Sequence, residues 1–354
     1  MNNIIIKTPK GKRRIGPGQP VFIIAEMSGN HNQSFARAKK IIDAAVTAGV
    51  DAIKIQTYTA DTMTIDCDKS YFQVKVNKAW KGQSLYQLYQ KAYTPWEWQP
   101  KLKKYAESKG LIFFSTPFDE TAVNFLEKMR VQIYKVASFE VGDTPLLEKI
   151  GKTKKPVIMS RGMASIEEIK LAIKTLKDNG TPQIALLHCV SSYPAEPEQM
   201  NLATIPNIVK KFKVISGLSD HTNGIAVSLT SVALGASIIE KHFTLTRSYG
   251  GPDANFSLEP KELKQLVEDI RSSEKAIGKP NYKVESKEKE NVVFRRSLFV
   301  VEDIKRGEKF TKKNIRSIRP GQGLKPKYYF KILGKNAQKN IKKGTPLKLN
   351  LIEK

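Results

Sequence analysis

Eight short apolar runs, each followed by an amphipathic stretch, fill the first 270 residues and restrict the fold more than any other feature. They are VFIIAE (21–26), AIKIQT (52–57), LIFFST (111–116), YKVAS (134–138), VIMSR (157–161), IALLHC (184–189), VISGLS (214–219) and SIIEKH (237–242). Rich in Val, Ile and Phe, they read as buried strands. The stretches between them carry helix punctuation. Ser34 predicts the cap of a helix through Ala45 that Gly49 stops. Thr94, Pro95 and Glu97 predict a capping box, with Pro100 delaying the regular helix. Thr144 and Pro145 start the next helix, and Ser165 with Glu168 makes a second box on a helix ended by Gly180. Asn223 opens a helix that Gly235 closes, and Glu259 to Gly278 carries the last one.

Eight strand–helix units in about 250 residues predict a (β/α)8 TIM barrel, an α/β fold. A doubly wound sheet would place a glycine fingerprint after its first strand. Here that place reads AEMSGNHN. The opening NIIIKTPKGKRRIGPG predicts a hairpin with a Lys-Gly centre that plugs one barrel end. The composition divides the chain into a barrel over 1–271, a charged linker over 272–292 and a small, irregular β domain over 293–354.

The totals narrow the function. Of 354 residues, 40% are hydrophobic, enough for a sizeable core. No apolar run approaches the roughly 18 residues of a membrane span, and the N-terminus lacks the apolar region of a signal peptide. Two cysteines, Cys67 and Cys189, make no disulfide framework, so the expected compartment is the cytoplasm. The net charge of +26 is spread along the chain, as at Lys101, Lys103 and Lys104 or Lys170, Lys174 and Lys177. That spacing fits solvated helix faces, and no nucleic-acid-binding motif accompanies it. A basic chain does attract anionic small substrates.

In a barrel, polar residues at the carboxyl ends of strands face the active site. Each run ends in such residues: Glu26; Lys54 and Gln56; Ser115 and Thr116; Lys135 and Ser138; Ser160 and Arg161; His188 and Ser191; Ser219, Asp220 and His221; Glu240, Lys241 and His242. A single serine there is usually a turn residue. Lys54 and Lys135, however, sit inside apolar strands, where an unpaired ammonium is costly. With the hydroxyls they predict a phosphate or carboxylate site. His221 and His242 end adjacent strands beside carboxylates and predict a metal site; imidazole with oxygen donors suits Mn, Fe or Zn. Two protein ligands leave positions open for water and substrate. His188, on an apolar strand, reads as a core histidine, and His31, in a loop, as a substrate contact.

These residues carry a resemblance. FIIAEMSGNHNQSFARAKKIIDAAVTAGVDAIKIQTYTADTM, STPF, YKVAS, MSRGM, LHCVSSYP, GLSDHT, EKHFT and GGPDANFSL match, in order, the sialic acid synthase family. The tail resembles its antifreeze-like SAF domain, a β-clip fold. AEMSGNHNQS and KIQTYTADTMT are similar to the pseudaminic acid synthase branch, with N-acetylneuraminate or legionaminate synthase as the alternative. The resemblance implies condensation of phosphoenolpyruvate with 2,4-diacetamido-2,4,6-trideoxy-L-altrose. It implies that His221 and His242 hold a divalent cation, with Mn or Mg expected. Glu26 joins them as a catalytic residue. Lys54, Thr116, Lys135, Ser138, Ser160, Ser191 and Ser219 would bind phosphoenolpyruvate; Ser191 stands where the family often has Asn. Tyr193, Glu240 and Asp253 would surround the sugar. Arg319 would reach its acetamido group from the other chain of a domain-swapped homodimer. No nucleic acid or membrane partner is expected.

Overall fold

The computed structural model describes residues 3–8, 11–75 and 82–353. They form two compact units, Met1–Gly278 and Lys279–Lys354. The first opens with an antiparallel hairpin of β1 (Ile4–Thr8) and β2 (Gly11–Ile15). All eight predicted strands follow as β3 (Phe22–Glu26), β4 (Ala52–Thr57), β5 (Ile112–Pro117), β6 (Tyr134–Val136), β7 (Val157–Ser160), β8 (Ile184–Cys189), β9 (Ile215–Asp220) and β10 (Ile238–His242). They pair in parallel, and β10 bonds to β3 to close the barrel.

Helix α1 (Phe35–Ala48) returns the chain from β3 to β4. Helices α2 (Ala60–Met63), α3 (Leu85–Ala92) and α4 (Gln99–Ser108) lie between β4 and β5. Single helices α5 (Glu120–Lys128), α6 (Thr144–Lys152), α7 (Ile166–Asp178), α8 (Thr204–Phe212) and α9 (Ala226–Ala233) follow the next five strands, and α10 (Pro260–Ile277) follows β10. Ser34 caps α1 by accepting from Arg37 N, but the helix runs on to Ala48 before Gly49 stops it. The Ser165–Glu168 box forms at α7.

Two helix-start expectations are corrected and one holds. Thr94 caps nothing, because its hydroxyl lies 3.1 Å from His31 Nε2; Trp96–Trp98 is a separate 3-10 turn, and α4 starts at Gln99 with Pro100 second. Helix α6 starts at Thr144 with Pro145 second, as expected, and Asp143 caps it by accepting from Leu146 N. Asn223 does not open α9, which begins at Ala226 without a side-chain cap.

Side chains alternate across the barrel wall. Phe22, Ile24, Ala52, Phe114, Ile158, Leu187 and Ile238 point inward and pack with Ile4, Ile6 and Ile15 of the hairpin, which therefore plugs the amino end as predicted. The predicted turn centre includes Lys10, which lies outside the described residues. Burial contributes roughly 1.5–3 kcal/mol for each such large side chain. Asp51 holds the same end together: Oδ1 accepts from Arg13 Nε at 3.2 Å, and Oδ2 from Ile23 N at 2.9 Å and Arg271 Nη2 at 3.0 Å. Hairpin, barrel and α10 are joined at one carboxylate.

The predicted linker start is also corrected. Residues 272–277 are the end of α10, whose packed face sets the boundary at Gly278, whereas charge content alone suggested an earlier one. Within the second unit, Ser286–Phe294 form a 3-10 helix, β11 (Ser297–Val300) pairs antiparallel with β12 (Ile315–Ile318), and α11 (Tyr329–Ile332) follows. Isolated bridges such as Ile304 to Ile341 complete an irregular β structure around Leu298, Val300, Phe310, Ile315 and Leu347. No helix among the described residues is long and apolar enough to cross a membrane.

Barrel closure leaves no room at Gly217 in β9. An added Cβ would stand 2.5 Å from the Ile238 carbonyl oxygen and 2.7 Å from Leu187 Cδ2. Gly217→Ala should cost about 1–3 kcal/mol by overpacking, read as a lower urea midpoint; an unchanged midpoint would contradict this packing.

Candidate active site

Above the apolar layer the inward positions turn polar. Alternation along each strand brings Glu26, Lys54, Thr116, Lys135, Ser160, Ser219 and Glu240 to one layer, each at most 5% exposed. Lys54 Nζ stands 2.5 Å from Glu26 Oε2, 3.7 Å from Glu240 Oε1 and 3.2 Å from Thr116 Oγ1. Lys135 Nζ donates to Ser160 Oγ at 2.7 Å and the Val136 carbonyl at 3.0 Å, and lies 3.9 Å from Glu240 Oε1. Ser219 Oγ donates to Glu240 Oε1 at 3.3 Å. Ser138 and Ser191 pair their hydroxyls at 2.8 Å. Gly162 allows that contact, since a Cβ there would meet Ser138 Cβ at 2.3 Å and Ser191 Oγ at 2.7 Å.

The charges in this layer are unequal. Glu240 lies between both ammonium groups, which outweigh its burial and hold its pKa below the usual value. Glu26 pairs closely with Lys54, but burial, with the charge of Glu240 adding to it, outweighs that attraction and pushes its carboxyl up to about 7. Burial opposes the charge on Lys54, but Glu240 and Glu26 outweigh it and raise the ammonium's pKa. On Lys135 burial prevails and the pKa falls. When Glu26 carries a proton, one of the two positive charges has no carboxylate to balance it, as an anion site requires.

The histidine pair is where the sequence placed it. The ring centroids of His221 and His242 are 5.4 Å apart. Tyr193 and Phe256 wall them in, with Tyr193 4.5 Å from His221 and Phe256 4.9 Å from His242. His221 Nδ1 lies 2.9 Å from the Val190 carbonyl, which makes Nδ1 the donor, so that in the neutral ring the lone pair is on Nε2. His242 is held neutral by burial and by the cationic groups around it, and its Nδ1 is buried without a hydrogen-bond partner. Asp253 Oδ2 lies 3.9 Å from that nitrogen and accepts from Ser28 Oγ. Two oriented imidazoles, one with an unpartnered nitrogen, suit a divalent cation. Among the described residues no group of three or more His, Cys, Asp or Glu is gathered for a metal.

Other sequence expectations are corrected. His31 does not face substrate: it is fully buried, with Nε2 at Thr94 Oγ1 and Nδ1 accepting from Gln33 N. Nor do all polar strand-end residues face the mouth. Ser115 points outward to Thr57 and the Ile55 carbonyl, His188 binds Arg161 Nε and the Met200 carbonyl, and Asp220 binds Lys241. Period-two alternation sends each behind the wall. His188 is thus the satisfied core histidine that was expected. Arg319 lies exposed just after β12 in the second unit.

One residue escaped the sequence reading. Glu140, two positions after Ser138, has a carboxyl pushed up to about 7 by burial and a buried Oε2 without a partner. Its place in the loop that follows Lys135 and Ser138 was the available signal.

The raised Glu26 pKa gives a pH prediction. If ionised Glu26 acts as a base, kcat/KM should rise with pH through about 7, because the proton must leave first. Glu26→Gln should lower kcat by about 100-fold or more and remove that limb. A limb that persists in the variant assigns the titration elsewhere.

The geometry can be set beside known proteins. The sequence profile of the NeuB family matches residues 41–282, and that of the SAF domain residues 295–353. The pseudaminic acid synthase of Campylobacter jejuni is 44% identical over 93% of this chain and 95% of its own length. That of Helicobacter pylori is 42% identical over 95% and 99%. The crystal structure of N-acetylneuraminic acid synthetase from Leptospira borgpetersenii superposes with a TM-score of 0.70 at 35% identity, covering 79% of this chain and 93% of that one. A barrel with a histidine pair above buried lysines, matched across both units, means that this chain belongs to the NeuB family.

Proposed function

We propose that this chain is a pseudaminic acid synthase that joins phosphoenolpyruvate to 2,4-diacetamido-2,4,6-trideoxy-L-altrose and releases phosphate. The observation that carries the chemistry is the pair of buried ammonium groups, Lys54 and Lys135, ringed by hydroxyls beside two imidazoles. The choice of sugar is supported by the 44% and 42% identical pseudaminic acid synthases. An N-acetylneuraminate or legionaminate synthase is the second reading, favoured by the likeness to the Leptospira enzyme.

Lys54, Thr116, Lys135, Ser138, Ser160, Ser191 and Ser219 hold the phosphate and carboxylate of phosphoenolpyruvate, with charge-assisted hydrogen bonds from the two ammonium groups. Glu240, Asp253 and Tyr193 line the adjacent space for the open-chain sugar. C3 of phosphoenolpyruvate attacks the aldehyde carbon, and the alkoxide that results takes a proton from solvent water. Glu26 removes a proton from the water that adds at C2. The tetrahedral intermediate then loses phosphate by C–O cleavage, eased by the two lysines. His221 and His242 would hold a divalent cation, Mn or Mg, which when bound supplies Lewis-acid polarisation of the aldehyde. A cytoplasmic homodimer, with Arg319 binding the sugar's acetamido group, is part of the same reading.

The deciding experiment measures phosphate release with phosphoenolpyruvate and each candidate sugar in turn. Turnover should be fastest with the diacetamido altrose; a preference for the sugar of either alternative reaction transfers the chain to that reading. With 18O in the bridging position, the label should leave with phosphate, and label kept in the sugar excludes C–O cleavage. His221→Ala and His242→Ala should each abolish divalent-dependent turnover. Full activity of the parent after exhaustive chelation would overturn the metal role.

A further inference from the structure

Behind the histidine pair lies a fully buried ion pair that the reaction does not touch. Lys241 Nζ and Asp220 Oδ2 are 2.9 Å apart, and neither side chain is exposed. Asp220 ends β9 just before His221, and Lys241 precedes His242 in β10; Asp220 and Lys241 are Cα partners across the strand pair. Both point away from the barrel interior. Asp220 Oδ1 accepts from Thr222 N at 2.9 Å and Thr222 Oγ1 at 2.8 Å, and Oδ2 accepts from Ser228 Oγ on α9 at 2.6 Å. Lys241 Nζ also donates to the Thr222 carbonyl. One ammonium, from the residue before His242, is therefore bonded to the residues on both sides of His221.

We infer that Asp220 and Lys241 are positioning residues that set the spacing and orientation of the two imidazoles for a shared cation. A fully buried ion pair is weak support for stability, because desolvation offsets its attraction and apolar replacements often serve as well. What this pair fixes is geometry. The chain leaves regular strand at Asp220, and His221 would otherwise start a loop. Two further ties restrain that residue: the Ala195 N–H bonds to the His221 carbonyl at 3.1 Å, as part of the bridge between Ala195 and Thr222, and His221 Nδ1 bonds to the Val190 carbonyl. These bind His221 to the β8 side. Among the described residues, the Lys241 contacts bind it to the neighbour of His242. Side chains that orient ligands without touching the metal typically contribute 10- to 100-fold in affinity.

The inference rests on the proposed metal role, so the test separates the two. The probe is Mn2+ titrated calorimetrically into the full-length apo protein. In Asp220→Asn/Lys241→Met no charge stays buried, and the amide oxygen still accepts from Thr222 N. Its melting temperature should stay close to the parent's while the Mn2+ Kd weakens 10- to 100-fold. kcat at saturating Mn2+ should largely recover, since the imidazoles themselves are intact. Equal Mn2+ affinity in parent and variant overturns the positioning role and leaves the metal role standing. A parent that takes up no Mn2+ overturns both. If the double variant does not fold, Ser228→Ala decides: it removes one bond to Asp220 and should weaken Mn2+ several-fold, and an unchanged Kd overturns the inference.

Discussion

Two ammonium groups inside the mouth of a closed barrel need carboxylates within a few ångströms, and the site is organised by that need. Lys54 and Lys135 arrive on neighbouring sectors of the barrel, while Glu26 and Glu240 arrive on β3 and β10, the strands whose pairing closes it. Ion pairing across the closure is possible only when the barrel is complete. Removing one partner of such a buried set typically costs roughly 3–5 kcal/mol, because the remaining charge has no solvent to relax into.

The same requirement explains the asymmetry of the carboxylates. Glu240 sits between both lysines and stays ionised, whereas Glu26 pairs closely with Lys54 but, buried beside Glu240, holds its proton to about pH 7. A site of this kind can accept an anion without expelling a carboxylate and can still supply a base once the proton leaves. The apolar layer beneath, filled by Ile24, Phe114, Leu187 and the hairpin isoleucines, keeps water from the amino end and so preserves these shifts.

Much of this was legible in the sequence because the barrel repeats one local unit. Apolar runs of five or six residues alternate with helices that Ser34 and Ser165 start and Gly49 and Gly180 stop, so local sterics and hydrogen bonding fix the element order. The two buried lysines were legible because an ammonium in an apolar strand requires a partner. The helix starts at Thr94 and Asn223 were misread for an equally physical reason: Thr94 had a better partner in His31, which lies 63 positions away in the chain. Glu140 was missed because its place after Lys135 and Ser138 does not by itself tell a buried carboxylate oxygen from a solvated one.

The sequence by itself determined the strands, their number, the presence of Lys54, Lys135 and the two histidines at strand ends, and the family motifs. Those properties follow from period-two alternation and short-range caps, which a linear reading can follow. Only the tertiary structure decided which polar strand ends face the mouth and which lie behind it, since Asp220 and Lys241 differ from His221 and His242 by one residue of register. It also decided which carboxylate keeps a proton. Both depend on distances between strands far apart in the chain, and those distances exist only after β10 has bonded to β3.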